Sequence, residues 1–327
     1  MCKPVRRTIG LAALLLVLSA FAAVGCGESE DDDGGGAAPP PATAEDFPNP
    51  DGKTIAQLRK GLGAGPVLSP SVSLLEPGAN RFGFGLFDRG RKQIVDAPAA
   101  VYVAPLEGGA VRGPFPARYE SLEVKPQFQS EGVRADPDSA TSVYVSRVRF
   151  QKPGDYEVLG LVQLDDNLVA AERVAVRVVK DGPVPEPGEA AIEVHTPTKA
   201  EVGGDMAQID TRAPPDTMHD SDFADILGSK PVVLLFATPA LCQSRVCGPV
   251  VDIAEQVKAS DDSDAEFIHM EIYNENELDK GFRQQVLDWK LPTEPWLFTI
   301  DSDGKVAASL EGAYSARELE AALAKAQ

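Results

Sequence analysis

The hydrophobic pattern changes part-way along the chain, and this change limits the fold more than any other feature. From residue 67 to 179, short apolar or alternating runs are separated by turn signals such as Pro77-Gly78 and Pro153-Gly154. This rhythm is typical of an antiparallel β-sandwich, and roughly seven strands fit the stretch. From residue 222 onward strand and helix patterns alternate instead, which predicts an α/β fold.

The C-terminal part begins with a short helix at 223–227 and a near-continuous apolar strand at 231–237, which suits a central strand covered on both faces. We expect next a helix at 247–259, a strand at 266–273, a helix at 277–289, a hairpin of strands 296–300 and 305–310, and a helix at 316–324. The Pro-, Gly- and Asp-rich stretch 181–221 predicts a linker and the lead-in to this fold. The chain is therefore expected to have two domains, 67–180 and 222–327.

The first 25 residues have the order of a secretory signal, with Lys3, Arg6 and Arg7 ahead of an apolar run at 9–24. This run is shorter than the ~20 residues of a membrane-spanning helix, which favours cleavage over an uncleaved anchor. Ala23-Val24-Gly25-Cys26 resembles a bacterial lipobox, whose cysteine receives lipid and becomes the new N-terminus. The resemblance implies an extracytoplasmic protein that is lipid-anchored to a bacterial membrane through Cys26.

Residues 26–50 are acidic, then rich in Gly, Ala and Pro, with almost nothing that can form a core, so we expect a disordered tether. A short helical lead-in is expected at 51–66, where Thr54 is a good N-cap. The formal net charge is −19, and no Lys/Arg cluster follows the signal. This charge argues against nucleic acid as a partner.

Cysteine usage points to one place in the chain. Of the four cysteines, Cys2 lies in the signal and Cys26 at the lipidation point, so the globular part has only Cys242 and Cys247. One closely spaced pair in a large extracytoplasmic protein indicates redox chemistry or a single local disulfide.

The chain from Asp222 to its end resembles the thioredoxin superfamily in three pieces. These are the apolar strand 232–238, the cysteines that open a helix, and Glu294-Pro295-Trp296 leading into a hairpin strand. The resemblance implies that the bond before Pro295 is cis and that this proline lies against the redox cysteines, with Pro292 as the rival candidate. It also implies that Glu294 and Trp296, which flank this proline, support the site of the redox cysteines.

The cysteine spacing departs from that superfamily, whose redox cysteines are separated by two residues, because four residues separate Cys242 from Cys247. We expect Cys242 at the helix N-terminus, where unpaired N–H groups and the helix dipole stabilise a thiolate, with Arg245 adding positive charge. Residues five apart in a regular helix lie beyond the ~7 Å limit for a disulfide. Either Cys242 therefore lies in the loop before the helix, or the first turn unwinds.

We expect no metal and no other cofactor. His195 and His219 are far from each other in sequence and from any third type of ligand. His269 stands where copper-delivering relatives would have a later histidine, but its strand neighbours Phe267 and Ile268 favour a structural histidine that is fully hydrogen-bonded. The strand 232–237 also lacks the acidic proton relay of many members, so a general base would be water or a distant group.

The segment 148–158 resembles a corner of immunoglobulin-like domains, in which a tyrosine just past a turn bonds back to the corner's backbone. This resemblance implies a structural role for Tyr156. It also implies that the first domain is an immunoglobulin-like sandwich. Phe82 and Phe84 alternate in a predicted strand and are expected in its core. No functional site is assigned to this domain.

Two functions from different classes stay open. The first is a membrane-anchored thiol–disulfide oxidoreductase, in which Cys242 attacks and Cys247 resolves, acting on extracytoplasmic proteins with thiols or disulfides. The second is a non-enzymatic two-domain lipoprotein whose cysteines form a structural disulfide. The spacing also occurs in one class of peroxiredoxins, but Pro239 stands where those enzymes have Thr or Ser, which makes a thiol peroxidase the weaker alternative.

Overall fold

The computed structural model describes residues 41–327. The predicted signal 1–25, the lipidation site Cys26 and most of the tether 26–50 lie outside the described residues. All of 41–327 belongs to one compact unit, which is mostly β with two sheets. Within this range no helix combines the length and the apolar character that crossing a bilayer requires.

The first sheet contains nine strands and is curled into a half-barrel. Its strands are β1 (Gly63–Ala64), β2 (Val67–Pro70), β3 (Gly78–Phe87), β4 (Ala99–Pro105), β5 (Arg112–Ser121), β6 (Ser142–Phe150), β7 (Gly154–Leu164), β8 (Asn167–Ala170) and β9 (Val174–Val178), and the helices of this part are α1 (Ile55–Arg59) and α2 (Glu131–Ala135). The spatial order is β1-β8-β7-β4-β5-β6-β3-β2, with β9 also paired to β7, and only β1 and β8 run parallel. The predicted antiparallel strands are present, but they hydrogen-bond as one curled sheet rather than as two separate ones.

The lead-in before this sheet is packed against its outer face. The Thr54 hydroxyl accepts a hydrogen bond from the Gln57 backbone N–H at 3.2 Å, which confirms the predicted N-cap of α1. Phe47 is buried in the same cluster as Tyr102, and the Tyr102 hydroxyl donates to the Pro48 carbonyl at 2.7 Å. Packed structure therefore begins before residue 50, the predicted end of the tether, because Phe47 supplies an apolar anchor.

The inner face of the curled sheet holds the aromatic core. Phe82 and Phe84 are fully buried there, as predicted, and the Phe84 ring stacks on Tyr144 with centroids 5.6 Å apart. The Tyr156 hydroxyl donates to the Lys152 carbonyl at 3.0 Å, which confirms the predicted bond across the corner.

The second sheet has four strands, covered by helices and irregular segments. Its spatial order is β11-β10-β12-β13, with β10 and β11 parallel and the other pairs antiparallel. The elements of this part are α3 (Phe223–Ile226), β10 (Val232–Phe236), α4 (Cys247–Ser260), β11 (Glu266–Met270), α5 (Gln284–Asp288), β12 (Trp296–Ile300), β13 (Val306–Glu311) and α6 (Ala316–Leu323).

Strand β10 is the centre of this part, because both of its faces are covered. Val233 and Leu235 pack with α4 and α6 on one face, whereas Val232, Leu234 and Phe236 pack on the other. All five side chains have no exposed surface. Burial on both faces explains why the strand has no polar position.

The predicted helix at 277–289 is wrong over most of its length. Only α5 is α-helical there, preceded by a single 3₁₀ turn at Leu278–Lys280. Gly281 follows that turn with φ +73°, a left-handed conformation that ends the turn. Leu278 and Phe282 are also about half exposed, so the apolar pattern of this segment does not mark one buried helix face.

The segment 181–221, predicted as linker and lead-in, packs closely on the second sheet. Val184 and Val194 contribute to the core on one side of the sheet, and Met218 contributes to the other. Its regular structure is limited to a 3₁₀ turn at Met206–Gln208. We call 181–221 the strap, because it links the two sheets while lying against the second.

A buried ion pair joins the strap to α4 and to the first sheet's loops. Arg212 Nε donates to Asp252 Oδ1 at 2.9 Å, and Arg212 Nη2 donates to the Phe128 carbonyl at 2.7 Å. The other oxygen of Asp252 accepts from the Ser130 backbone N–H at 2.8 Å. Both charged side chains are almost fully buried, so this pair holds the two sheets in one arrangement.

We expect Arg212→Ala to lower the free energy of unfolding by about 3–5 kcal/mol, because it leaves the Asp252 carboxylate unpaired in the interior. The matched control is Arg173→Ala, which removes a half-exposed ion pair with Glu157 and should cost at most about 1 kcal/mol. Urea unfolding followed by tryptophan fluorescence and by far-UV circular dichroism measures both. Equal losses in the two variants would contradict the structural role of Arg212.

Candidate functional site

The two cysteines lie at the junction of β10 and α4. Cys247 is the first residue of α4 and is fully buried, whereas Cys242 lies in the preceding turn and is half-buried. Of the two alternatives that the cysteine spacing left open, Cys242 therefore lies in the loop before the helix, and the predicted start of the helix at residue 247 is confirmed. The turn replaces the helix here because Arg245 has φ +59°, a left-handed conformation, and α4 begins only after Val246.

The environment of Cys242 stabilises its thiolate. A hydrogen bond from the Cys247 side chain is the largest cause that lowers the pKa of Cys242 to about 6. The Ser244 hydroxyl, whose oxygen lies 3.1 Å from the Cys242 sulfur, and the backbone N–H groups of Cys247 and Val246 act in the same direction. The start of α4 thus stabilises Cys242 although Cys242 lies outside the helix.

The pKa of Cys247 is shifted in the opposite direction. Complete burial raises the pKa of the Cys247 thiol well above its ordinary value, and the neighbouring Cys242 raises it further. Both cysteines are free, and their sulfurs are not at bonding distance. The pair therefore consists of an accessible thiolate and a buried thiol that donates to it.

Glu294 lies close enough to this pair to act on both thiols, and Pro295 follows it in the chain. The Glu294–Pro295 bond is cis, as predicted, whereas the bond before Pro292 is not among the cis bonds of the described residues. Burial raises the pKa of the half-buried Glu294 carboxyl, and the negative charge of Cys242 raises it further. Glu294 is thus an acidic group close to the thiols, whereas the central strand has none.

Arg245 and Trp296 do not act on the thiols as expected. Arg245 Nη1 forms ion pairs with Asp138 at 2.6 Å and with Asp136 at 3.3 Å, so its charge is already balanced. Trp296 belongs to the core on the opposite face of the second sheet from Cys247, where its ring stacks on Phe298. Alternation of side chains along β12 explains this orientation.

A cleft of about 580 Å³ opens between the two sheets next to the Cys242 turn. Gln243, Ser244 and Glu294 line it on the side of the second sheet. The wall from the first sheet is formed mainly by 69–73, by Arg89 and Arg91, and by Gln93. Sequence reasoning assigned no site to the first sheet, because this wall forms only when the two sheets pack together.

A second cluster of titratable side chains lies behind the turn. Asp210, Asp216, His219 and His269 are all buried, and one possible ligand atom from each lies within 4.8 Å of the others. The interpretation that His219 has no ligand-type neighbours is wrong, because the strap folds back onto β11. His195 lies apart from this cluster and contacts Asp222 at 2.7 Å.

His269 makes the contacts expected of a structural histidine that is fully hydrogen-bonded. Its Nδ1 lies 2.7 Å from Asp216 Oδ2, and its Nε2 lies 3.1 Å from the Ala237 carbonyl oxygen. Burial lowers the pKa of His269, but the Asp216 carboxylate outweighs this effect and the net pKa is about 10.

Comparison with models of known protein families finds no match, and a search of curated proteins also finds none. The function is therefore inferred from the geometry of the site.

We expect iodoacetamide to alkylate Cys242 with a pH midpoint near 6, because the thiolate is the reacting species and its pKa is about 6. Cys247 should stay unmodified in the folded protein, because its thiol is buried and protonated. Mass spectrometry of the labelled chain across pH 4–9 gives both rates, with Cys242→Ser as the control. A midpoint near the ordinary thiol value of about 8.5 would contradict the stabilisation of this thiolate.

Replacement of Ser244 by Ala should raise that midpoint by about one pH unit, because a hydrogen bond to a charged group contributes roughly 1.5 kcal/mol. The matched control is Ser260→Ala, whose hydroxyl bonds the end of α4, far along the helix from the thiols. The same alkylation profile measures both variants. An unchanged midpoint in Ser244→Ala would show that the hydroxyl does not bond to the thiolate.

Proposed function

We propose that the protein is an extracytoplasmic thiol–disulfide oxidoreductase, in which Cys242 is the nucleophile and Cys247 the resolving thiol. The observation that carries the proposal is the difference between the two sulfurs. Cys242 is accessible and its pKa is lowered to about 6, whereas Cys247 is buried and protonated. Thiol–disulfide exchange needs this combination of an attacking thiolate and a second thiol held in reserve.

In the first step the Cys242 thiolate attacks one sulfur of a substrate disulfide. A bond forms between Cys242 and that sulfur, the substrate's own S–S bond breaks, and the other substrate sulfur leaves as a thiolate. In the second step Cys247 loses its proton and attacks the Cys242 sulfur, which releases the remaining substrate sulfur. Two electrons pass to the substrate, and an external dithiol donor must reduce the Cys242–Cys247 disulfide for another cycle.

The local structure supports the second step. Cys242 lies in a turn rather than on the helix, so the two sulfurs can approach by movement of 242–246 while α4 stays intact. Glu294 raises the pKa of Cys247 through its charge, and its own pKa is raised. Glu294 is therefore the side chain best placed to accept the Cys247 proton.

The same proposal includes the relationship of each sheet to a known fold and the lipid anchor. The strand order of the second sheet, with cysteines after β10 and a cis proline before β12, supports a thioredoxin-like domain at 222–327. The Tyr156 corner supports an immunoglobulin-like relationship for the first sheet. The signal-like N-terminus and Cys26 support lipid anchoring to a bacterial membrane, with secreted or membrane proteins as substrates.

An insulin-reduction assay with dithiothreitol as the donor tests the activity. The parent chain should turn over and Cys242→Ser should not, because it lacks the attacking sulfur. Cys247→Ser should instead accumulate a mixed disulfide with insulin, because nothing resolves it; non-reducing electrophoresis shows this species. This contrast between two single-sulfur variants separates a redox pair from a generally reactive thiol.

The reduction potential of the pair distinguishes the proposed oxidoreductase from the non-enzymatic alternative. A potential below about −300 mV together with no insulin turnover would indicate a structural disulfide and would overturn the proposal. Equilibration with glutathione buffers, followed by mass spectrometry of alkylated thiols, measures this potential.

A further inference from the structure

The cluster of Asp210, Asp216, His219 and His269 has the composition of a metal site. Its side chains are at most 2% exposed, and they come from the strap and from β11. Carboxylate oxygens and imidazole nitrogens are ligands that Zn²⁺ takes in proteins. The thiol chemistry described above uses none of these four residues.

His219 supplies the observation that points to a missing ligand. Neither of its ring nitrogens has a hydrogen-bond partner among the described residues, although the side chain is buried. Its Nε2 lies 3.2 Å from Asp216 Oδ1 and 3.7 Å from Asp210 Oδ2, without the alignment of a hydrogen bond. A protonated Nε2 would face the two carboxylates without the geometry of a hydrogen bond, whereas a neutral imidazole would direct its Nε2 lone pair at an ion held between them.

The other ligand groups are oriented from outside the cluster. Asp210 accepts from the backbone N–H groups of Arg212 and Asp216, both at 2.7 Å, and Asp216 accepts from the Met218 N–H at 2.9 Å. A His269 Nε2–H that donates to the Ala237 carbonyl leaves Nδ1, which shares a proton with Asp216, as the ring nitrogen that would bind an ion once that proton is lost. Such outer contacts to backbone groups are typical of metal sites.

Metal binding would displace the proton that pairs His269 with Asp216, and the charge of the ion would then replace the charge of that proton. Once that proton is lost, Asp210 and Asp216 place two carboxylates in the interior, and Glu271, whose Oε2 has no partner among the described residues, lies close enough to act on His269. Uncompensated charges of one sign are costly away from water. A divalent cation would balance them.

We propose that Asp210, Asp216, His219 and His269 bind one divalent transition-metal ion, with Zn²⁺ as the best fit. Ligands about 2.0–2.1 Å from a tetrahedral ion lie about 3.4 Å from one another, and the 3.2 Å and 3.7 Å separations around His219 bracket this spacing. The shorter contact between His269 Nδ1 and Asp216 is that of a shared proton, which the ion replaces.

The site is structural, because protein side chains supply all four ligands and leave no open position. It lies directly behind the thiol turn. His269 bonds the Ala237 carbonyl, the next residue, Thr238, accepts from the Cys242 backbone N–H, and the Thr211 hydroxyl accepts from the Ala240 N–H. The ion would therefore fix the strap against the segment that positions Cys242.

Zn²⁺ titration by calorimetry and Co²⁺ titration by absorption spectroscopy test the proposal. Both use the full-length chain carrying Cys2→Ser, Cys26→Ser, Cys242→Ser and Cys247→Ser, so that no thiol binds the metal. We expect one ion per chain and the intense visible bands of four-coordinate Co²⁺. His219→Gln should weaken Zn²⁺ binding by more than the ~10–100-fold that loss of an outer contact costs. His195→Gln is the matched control and should leave binding unchanged, because His195 is half-exposed and contacts Asp222 instead.

A second measurement on the chain with intact histidines covers the case in which His219→Gln fails to fold. Long-range ¹H–¹⁵N correlation spectra should show Zn²⁺ shifting the ring nitrogens of His219 and His269 but not those of His195. Absence of stoichiometric binding, or equal binding in the two histidine variants, would overturn the proposal. In that case the cluster is a proton-sharing network of buried acids and histidines.

Discussion

The buried pair of Arg212 and Asp252 connects three parts of the molecule whose relative positions form the candidate site. Asp252 lies on α4, the helix that begins at Cys247, and Arg212 lies on the strap between two members of the acid–histidine cluster, Asp210 and Asp216. Through the Phe128 carbonyl and Ser130 the same pair reaches the first sheet. Because leaving a buried charge unpaired costs several kcal/mol of folding free energy, the helix, the strap and the curled sheet keep one relative position.

Local pattern was enough to predict most of the second sheet. The apolar run of β10, the helix after the cysteines and the hairpin of β12 and β13 all lie where the periodicity places them. The same reasoning failed at 277–289, since Gly281 takes a left-handed conformation and the apolar side chains there face solvent. For the first sheet the strands were predictable, but their joining into one curled sheet depends on pairings between distant segments.

Some features of the candidate site were also predictable from the sequence, and others were not. The cysteine pair was predictable from residue type and spacing, whereas the cis bond before Pro295 was predictable only from the resemblance of its motif to a known family. The positions of Arg245 and Trp296 relative to the thiols were not predictable. Arg245 pairs with acidic residues more than a hundred positions away, and Trp296 lies on the face of β12 that points away from Cys247. His219 and His269 are separated by fifty residues, and only the path of the strap brings them together.

The cleft beside Cys242 has one wall from each sheet, and only one of the two walls affects the ionisation of the cysteines. The wall that carries Ser244 and Glu294 sets the ionisation of the sulfurs, whereas the opposite wall, around Arg89 and Arg91, makes no contribution to it. Under the proposed function, the stretch that would contact a substrate protein and the stretch that acts on the ionisation of the sulfurs are separate parts of the chain. Substitutions in the wall from the curled sheet would then alter substrate contact while the pKa values of the two cysteines stayed the same.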